Sequence, residues 1–119
     1  MSQFLTPLKV QEISDSAWQL TDPLIYQSDV AKRTFSVPPG FVTDFASVPR
    51  IPLIFDAFGD TAHMAAVVHD YLYTVDPRPV DRSMADAVLK EAAVASGVSR
   101  WRAWCMWVGV RLGGASHWD

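Results

Sequence analysis

Residues 60–75 read D-T-A-H-M-A-A-V-V-H-D-Y-L-Y-T-V, and this stretch decides the fold of the second half of the chain. Its alanines, His69 and Tyr73 recur at intervals of three and four residues, which is the spacing of one face of a helix. Thr61 or the aspartate before it can cap the helix, and two prolines follow its end. The stretch therefore predicts a helix that ends near Val75.

Two further helices are predicted after the prolines. The second runs from near Asp81 to Gly97, because apolar residues between them repeat at helical spacing and glycine suits the left-handed position after a helix. The third starts after Ser99 as its cap and ends at the pair Gly113 and Gly114.

The half of the chain before Gly59 has a different texture. It holds six of the eight prolines and short runs rich in β-branched and aromatic residues. Four of these runs predict short antiparallel strands, at 8–13, 17–20, 24–27 and 34–37. The apolar stretch 41–52 is interrupted by prolines and predicts an ordered loop. Strands followed by helices indicate an α+β fold.

Length and composition limit the class of protein. The 119 residues suit one domain, strand-rich over 1–58 and helical over 59–114, and a 50% apolar share excludes disorder. A net charge of −3 argues against nucleic acid as a partner. Cys105 is the single cysteine, so no internal disulfide is possible. We expect a cytoplasmic protein that is not transmembrane, because neither a signal-peptide pattern nor a membrane-length apolar run occurs.

The pair His69 and Asp70, with Tyr73 one turn later, carries the clearest chemical signal. A short connection would return the second helix against the first, so that Asp86 could reach the His69 ring and the Tyr73 hydroxyl. A carboxylate on one imidazole nitrogen leaves the other nitrogen as a general base. Asp70 would then be available to a cation. The structural alternative is a buried polar network that fixes helix packing. His63 lies off this face, and we expect it on the surface.

The loop T-D-F-A-S-V-P, residues 43–49, places two polar residues in apolar surroundings. Asp44 and Ser47 can satisfy local backbone groups in a turn. If the loop lies at the mouth of the His69 cavity, Asp44 could be a second metal ligand. Ser47 could instead be a nucleophile activated by His69, although the glycines of a nucleophile elbow are absent.

The predicted third helix carries three tryptophans. Trp101, Trp104 and Trp107 are spaced by three residues, so they cannot all face one small core, and at least one should be exposed. Tryptophan is favoured at protein interfaces and at membrane surfaces. We therefore expect a partner here, which could be a second copy of the chain, another protein or a lipid surface.

Two resemblances add to this interpretation. The strings P-P-G-F-V-T-D-F-A-S-V-P-R, H-D-Y-L-Y and R-S-M-A-D, in this order over residues 35–114, resemble a family of small phage and prophage proteins known as domain of unknown function 1353. The resemblance implies a phage origin without an activity. It also implies a protein made in the host cytoplasm, with virion association or a virion or host protein as partner.

The second resemblance is local, over residues 65–89. H-D-x-x-Y on one helix with an Asp on the next resembles the core of the phospholipase A₂ superfamily. It implies His69 as the base that activates water, Asp70 as a calcium ligand, Asp86 as the residue that orients His69, and Tyr73 as its support. The glycine-rich calcium loop of those enzymes and their disulfides are absent here.

These observations give two hypotheses. The first is a phage accessory protein with a His-Asp site for calcium-assisted hydrolysis of an ester, in which Asp70 and Asp44 hold the cation. The second is a non-enzymatic virion or host-interaction module, in which His69, Asp86 and Tyr73 form a closed network. Access to the His69 ring distinguishes them, because an enzyme needs the ring open to a pocket.

Overall fold

The computed structural model describes residues 2–14, 17–43 and 61–113. Short strands occupy the first half and three helices the second, so the α+β prediction is confirmed. The strands are β1 Gln3–Phe4, β2 Val10–Ser14, β3 Ala17–Leu20, β4 Leu24–Ser28, β5 Arg33–Val37 and β6 Val42–Thr43. The helices are α1 Thr61–Thr74, α2 Arg82–Ala95 and α3 Arg100–Gly113.

The described strands form two three-stranded antiparallel sheets, in the orders β1-β4-β5 and β2-β3-β6. The first sheet is a hairpin of β4 and β5, in which Tyr26 lies opposite Phe35, with β1 added at its edge. Alternate residues of β4 are buried, as the period of two requires for a strand with one face on a core. β1 and β6 were not predicted, because two-residue strands carry no alternation.

Helix α2 lies at the centre of the packing. It contacts both other helices and, through β1 and β4, the first sheet. Its predicted apolar stripe is fully buried and consists of Ala85, Val88, Leu89, Ala92 and Ala93. Small residues at three of these five positions allow neighbouring elements to approach closely on several sides. Asp86 lies in this helix and is therefore surrounded by packed elements.

Helix α1 is buried more widely than its sequence pattern predicts. All five residues of 65–69 are buried, together with Leu72 and Tyr73, although the pattern predicted a single face. The outer side of the helix meets the aromatic ring of Phe41, whose centroid lies 5.6 Å from that of Tyr71 in an edge-on arrangement. His63, expected on the surface, is half-buried.

Side chains satisfy several helix ends. The Asp81 carboxylate accepts a 2.8 Å hydrogen bond from the Met84 amide, as expected of an N-cap. Gly97 has φ +110°, a left-handed conformation that glycine adopts without strain.

Arginine side chains satisfy carbonyl groups at the ends of the other two helices. The Arg78 guanidinium donates to the Tyr73 carbonyl at the end of α1. Arg82, at the start of α2, donates hydrogen bonds of 3.0 and 2.9 Å to the Val110 and Arg111 carbonyls in the last turn of α3.

Glu91 of α2 joins the helical layer to the first sheet. Its Oε1 accepts hydrogen bonds of 2.7 Å from the hydroxyls of Tyr26 and Ser28, and its Oε2 accepts one of 2.8 Å from the Val30 amide. Burial, and then the hydrogen bond to Glu91, raises the pKa of Tyr26. One carboxylate thus holds a strand and the following turn against α2.

No helix within the described ranges has the length and the apolar run that a bilayer span requires.

Candidate functional site

A buried cluster of polar side chains lies between α1 and α2. Nε2 of His69 lies 2.8 Å from Oδ1 of Asp86, and the Tyr73 hydroxyl donates to the same oxygen at 2.5 Å. The rings of His69 and Tyr73 are neighbours, with centroids 4.2 Å apart. The predicted hydrogen bonds of the three residues are therefore present, because His69 and Tyr73 are one helical turn apart and α2 packs against that face.

A fourth residue, Arg111, completes the cluster. Its Nη1 donates a 3.0 Å hydrogen bond to Oδ2 of Asp86, and its side chain is about one-third exposed. Sequence reasoning did not assign Arg111 to this cluster. The only signal was a basic residue in the last turn of a helix, which is common and does not specify a partner.

The Asp86 carboxylate is ionised at neutral pH. Burial alone would raise the pKa of Asp86, but hydrogen bonds from His69, Tyr73 and Arg111 stabilise the charged form, and the pKa lies below its ordinary value. Burial, and then the hydrogen bond to Asp86, raises the pKa of Tyr73, so its hydroxyl stays protonated. The carboxylate is therefore the acceptor for all three donors.

This arrangement determines where His69 holds its proton. An ionised carboxylate only accepts hydrogen bonds, so Nε2 must carry the hydrogen that points at Asp86. In the neutral form of the ring, which has one N–H, Nδ1 then carries the lone pair. Nδ1 is buried and has no hydrogen-bond partner among the described residues. An unpaired buried acceptor is rare in native proteins and calls for an explanation.

The ring itself is closed off from solvent. His69 and Asp86 have no exposed surface, and Tyr73 has about 1%. In chemical terms, the cluster is an oriented imidazole with one fixed proton and one unused basic nitrogen. Its hydrogen-bonding pattern is that of a general base, but the ring is not accessible to solvent.

Asp70, the predicted cation ligand, follows His69 on α1 and is half-buried. Within 2–14, 17–43 and 61–113, no group of three or more His, Cys, Asp or Glu side chains could hold a metal ion. Asp44 and Ser47, the other predicted ligand and the alternative nucleophile, lie outside the described residues.

The tryptophans of α3 divide between the surface and the interior. Trp101 is 67% exposed and Trp104 is 52% exposed, as the three-residue spacing predicted. Trp107 is half-buried, and the Lys90 ammonium lies 5.4 Å from its ring centroid. None of the three belongs to the cluster around Asp86.

A separate groove of about 750 Å³ lies beside α2 and α3. Its walls include Val30, Lys90, Val94, Arg100 and Trp104. No residue of the His69 cluster lines it, so it is a different surface from the buried site.

Comparison with known proteins gives one family. A family model described as "Protein of unknown function (DUF1353)" matches residues 18–110, a range that includes His69, Tyr73 and Asp86 and ends one residue before Arg111. No curated protein and no solved structure matches the chain significantly. Since the match covers most of the sequence, the chain belongs to the DUF1353 family of proteins of unknown function.

Proposed function

We propose that this protein is a phage accessory protein in which His69, in a state where the chain opens over Nδ1, acts as the general base in the hydrolysis of an ester. One observation carries the proposal. Asp86 holds Nε2 of His69 in the protonated state, and Nδ1 is left as a basic nitrogen with no partner among the described residues. The hydrogen bonds from His69 and Tyr73 to Asp86 are those that the phospholipase A₂ resemblance implies.

The proposed reaction needs water and the ester alone. Nδ1 of His69 takes a proton from water while the water oxygen bonds to the ester carbonyl carbon. The carbonyl oxygen becomes an oxyanion in a tetrahedral intermediate. When the intermediate collapses, the carbon–oxygen bond to the alcohol breaks, and the proton on Nδ1 passes to the departing oxygen. The products are a carboxylic acid and an alcohol.

Three residues position the base. His69 becomes an imidazolium during the reaction, and the negative Asp86 carboxylate beside Nε2 stabilises that charge. Tyr73 and Arg111 fix the two oxygens of the carboxylate, so that the ring keeps one orientation. These two are positioning residues, since neither reaches Nδ1.

Calcium is the cation that the resemblance implies for the oxyanion. It takes six to eight oxygen ligands, and the described residues offer Asp70 without a metal-binding group around it. They do not by themselves fit a calcium site, so no step of the reaction is assigned to calcium. Binding by Asp70 together with Asp44 remains a prediction for measurement.

The test uses two histidines of the same helix. His69→Gln keeps an amide that can donate to Asp86 but removes the basic nitrogen, whereas His63→Gln changes a histidine outside the cluster. We expect His69→Gln to lower kcat/KM for a short-chain nitrophenyl ester and for phosphatidylglycerol by about 100-fold or more. His63→Gln should retain wild-type activity. Absence of hydrolysis by wild type on both substrates, with and without calcium, would end the proposal.

A second candidate function follows from the complete burial of His69 and Asp86. In a virion or host-interaction module, the cluster would only fix the packing of the three helices. Hydrolysis requires the chain to open over Nδ1, whereas the structural role requires it to stay closed. If His69→Gln lowers the melting temperature and wild type shows no hydrolysis, the interaction module is the better account.

A further inference from the structure

Helix α3 has apolar side chains on two opposite sides. One side faces the core and consists of Ala103, Met106 and Val110, all buried. The other consists of Trp101, Trp104, Val108 and Leu112, which we call the outer face. Leu112 is 83% exposed, and the two tryptophans are more than half exposed.

Helical geometry makes the outer face continuous. Its members follow one another at intervals of three, four and four residues, which is the spacing of a single stripe along a helix. Trp101 and Ala103 are two residues apart, or about 200° around the helix axis, so the outer face points away from the core. A core-facing helix gains nothing from a second apolar stripe, and large exposed apolar patches mark contact surfaces.

The charged residues of helix α3 itself all have one sign. Helix α3 holds three of the ten Lys and Arg residues and none of the thirteen acidic residues, although the chain as a whole has a net charge of −3. Arg100 and Arg102 are exposed and precede and follow Trp101, so they flank its ring on both sides of the helix. The partner of this surface should therefore be negatively charged.

We propose that the outer face of α3 docks on the surface of an anionic phospholipid bilayer. Tryptophan and leucine favour the boundary between headgroups and acyl chains, and flanking arginines are attracted to anionic headgroups. A second copy of the chain fits less well, because a symmetric contact through this face would bring arginines against arginines.

The surface extends beyond the helix. Arg100 and Trp104 also form part of the wall of the groove beside α2, together with the apolar Val30 and Val94. Two acidic residues, Asp29 and Glu91, line the same groove together with two basic residues, Lys90 and Arg100, so the charged side chains of the groove balance in number. The groove therefore adds apolar area to the docking surface.

Membrane docking does not depend on the proposed hydrolysis, because it can be measured without turnover. The full-length chain is mixed with vesicles of phosphatidylcholine alone or of phosphatidylcholine and phosphatidylglycerol in equal parts, and bound protein is measured by co-sedimentation. We expect binding to the anionic vesicles only, with weakening as salt is raised. Arg100→Gln and Arg102→Gln should each lower the partition coefficient about fivefold.

Matched variants separate docking from general effects. Trp101→Ala and Trp104→Ala should abolish sedimentation, while Leu5→Ala, which removes an exposed apolar side chain elsewhere, should leave it unchanged. His69→Gln should also bind as wild type, so that loss of hydrolysis and loss of docking can be told apart. Equal binding to both vesicle types, no binding to either, or a dimer that Trp104→Ala dissociates would each overturn the proposal.

Discussion

Arg111, in the last turn of α3, donates a hydrogen bond to Oδ2 of Asp86. The other carboxylate oxygen, Oδ1, accepts hydrogen bonds from His69 and Tyr73. Residues of α1 and α3 thus meet on one side chain of α2. Because a buried carboxylate is stable only when its oxygens are satisfied, the three helices and the ionisation of Asp86 depend on one another.

Asp86→Asn should destabilise the fold strongly. The amide replaces an acceptor oxygen with a donor and leaves Arg111 without its negative partner, and breaking a buried charged pair typically costs about 3–5 kcal/mol. Chemical denaturation at neutral pH measures this difference in the free energy of unfolding. Asp22→Asn, which removes an exposed carboxylate paired with Lys9, should cost about 1 kcal/mol or less. Similar losses in the two variants would contradict the importance of the cluster.

The difference in stability between wild type and Asp86→Asn should depend on pH. The pKa of Asp86 is lower in the folded state than its ordinary value of about 3.9, so the unfolded state takes up the proton first as pH falls. The contribution of Asp86 is therefore complete above about pH 5 and is lost as pH falls through 4 toward the lower folded pKa. The stability difference between wild type and Asp86→Asn should narrow over this range. A constant difference would show that ionisation of Asp86 is not responsible.

Tyr73→Phe should remove one hydrogen bond to Asp86 and keep the ring. We expect a loss of about 1.5–3 kcal/mol in the free energy of unfolding, the range for hydrogen bonds to charged groups. Tyr71→Phe is the control, since Tyr71 is half-buried two residues earlier on α1 and contacts Phe41 through its ring. That variant should stay within about 0.5 kcal/mol of wild type. Equal losses in the two variants would show that the hydrogen bond from Tyr73 to Asp86 makes no special contribution to stability.

Arg111→Gln tests the contact from the third helix. Because the Arg111 side chain is about one-third exposed, solvent screens its interaction with Asp86, and we expect a loss of about 1–2 kcal/mol. Arg111→Lys should recover part of it by supplying one charged donor. Arg100→Gln, at an exposed position of the same helix, should change stability by less than about 0.5 kcal/mol. If Arg111→Gln matches this control, the contact contributes nothing measurable.

Calcium binding at Asp70 is tested by thermal unfolding. A ligand that binds only the folded state at ten times its Kd stabilises it by about 1.4 kcal/mol. For a chain of this size, that corresponds to a rise of about 5 °C in Tm. Asp70→Asn should abolish the rise, and Asp22→Asn should keep it. An unchanged Tm in millimolar calcium would leave Asp70 without a role in metal binding.

The sequence predicted the helical half of this fold well, because its signals are local. Alanine spacing and the left-handed Gly97 each act within one helical turn. The meeting of His69, Tyr73 and Asp86 was predictable for the same reason. Two residues lie one turn apart, and a short connection brings the third to them.

Features that depend on distant parts of the chain were not predictable. Pairing of β3 with β6, and of β1 with β4, joins strands that are not neighbours in sequence, and two of those strands are only two residues long. The contacts of Arg111 and Glu91 likewise depend on how whole elements pack. A basic or acidic residue on a helix surface has many possible partners, and the sequence does not select among them.

The three donors on Glu91 have a consequence for the way the protein opens. Tyr26, Ser28 and the Val30 amide belong to β4 and the turn after it, so this hairpin cannot leave α2 without losing all three hydrogen bonds together. Amide hydrogen exchange should therefore proceed in the hairpin and in α2 as one cooperative unit. The strand β2 is largely exposed and, among the described residues, makes no hydrogen bond to Glu91, so its amide hydrogens should exchange sooner. The helix that carries Asp86 is thus protected by hydrogen bonds that the hairpin makes to Glu91, a different residue of the same helix.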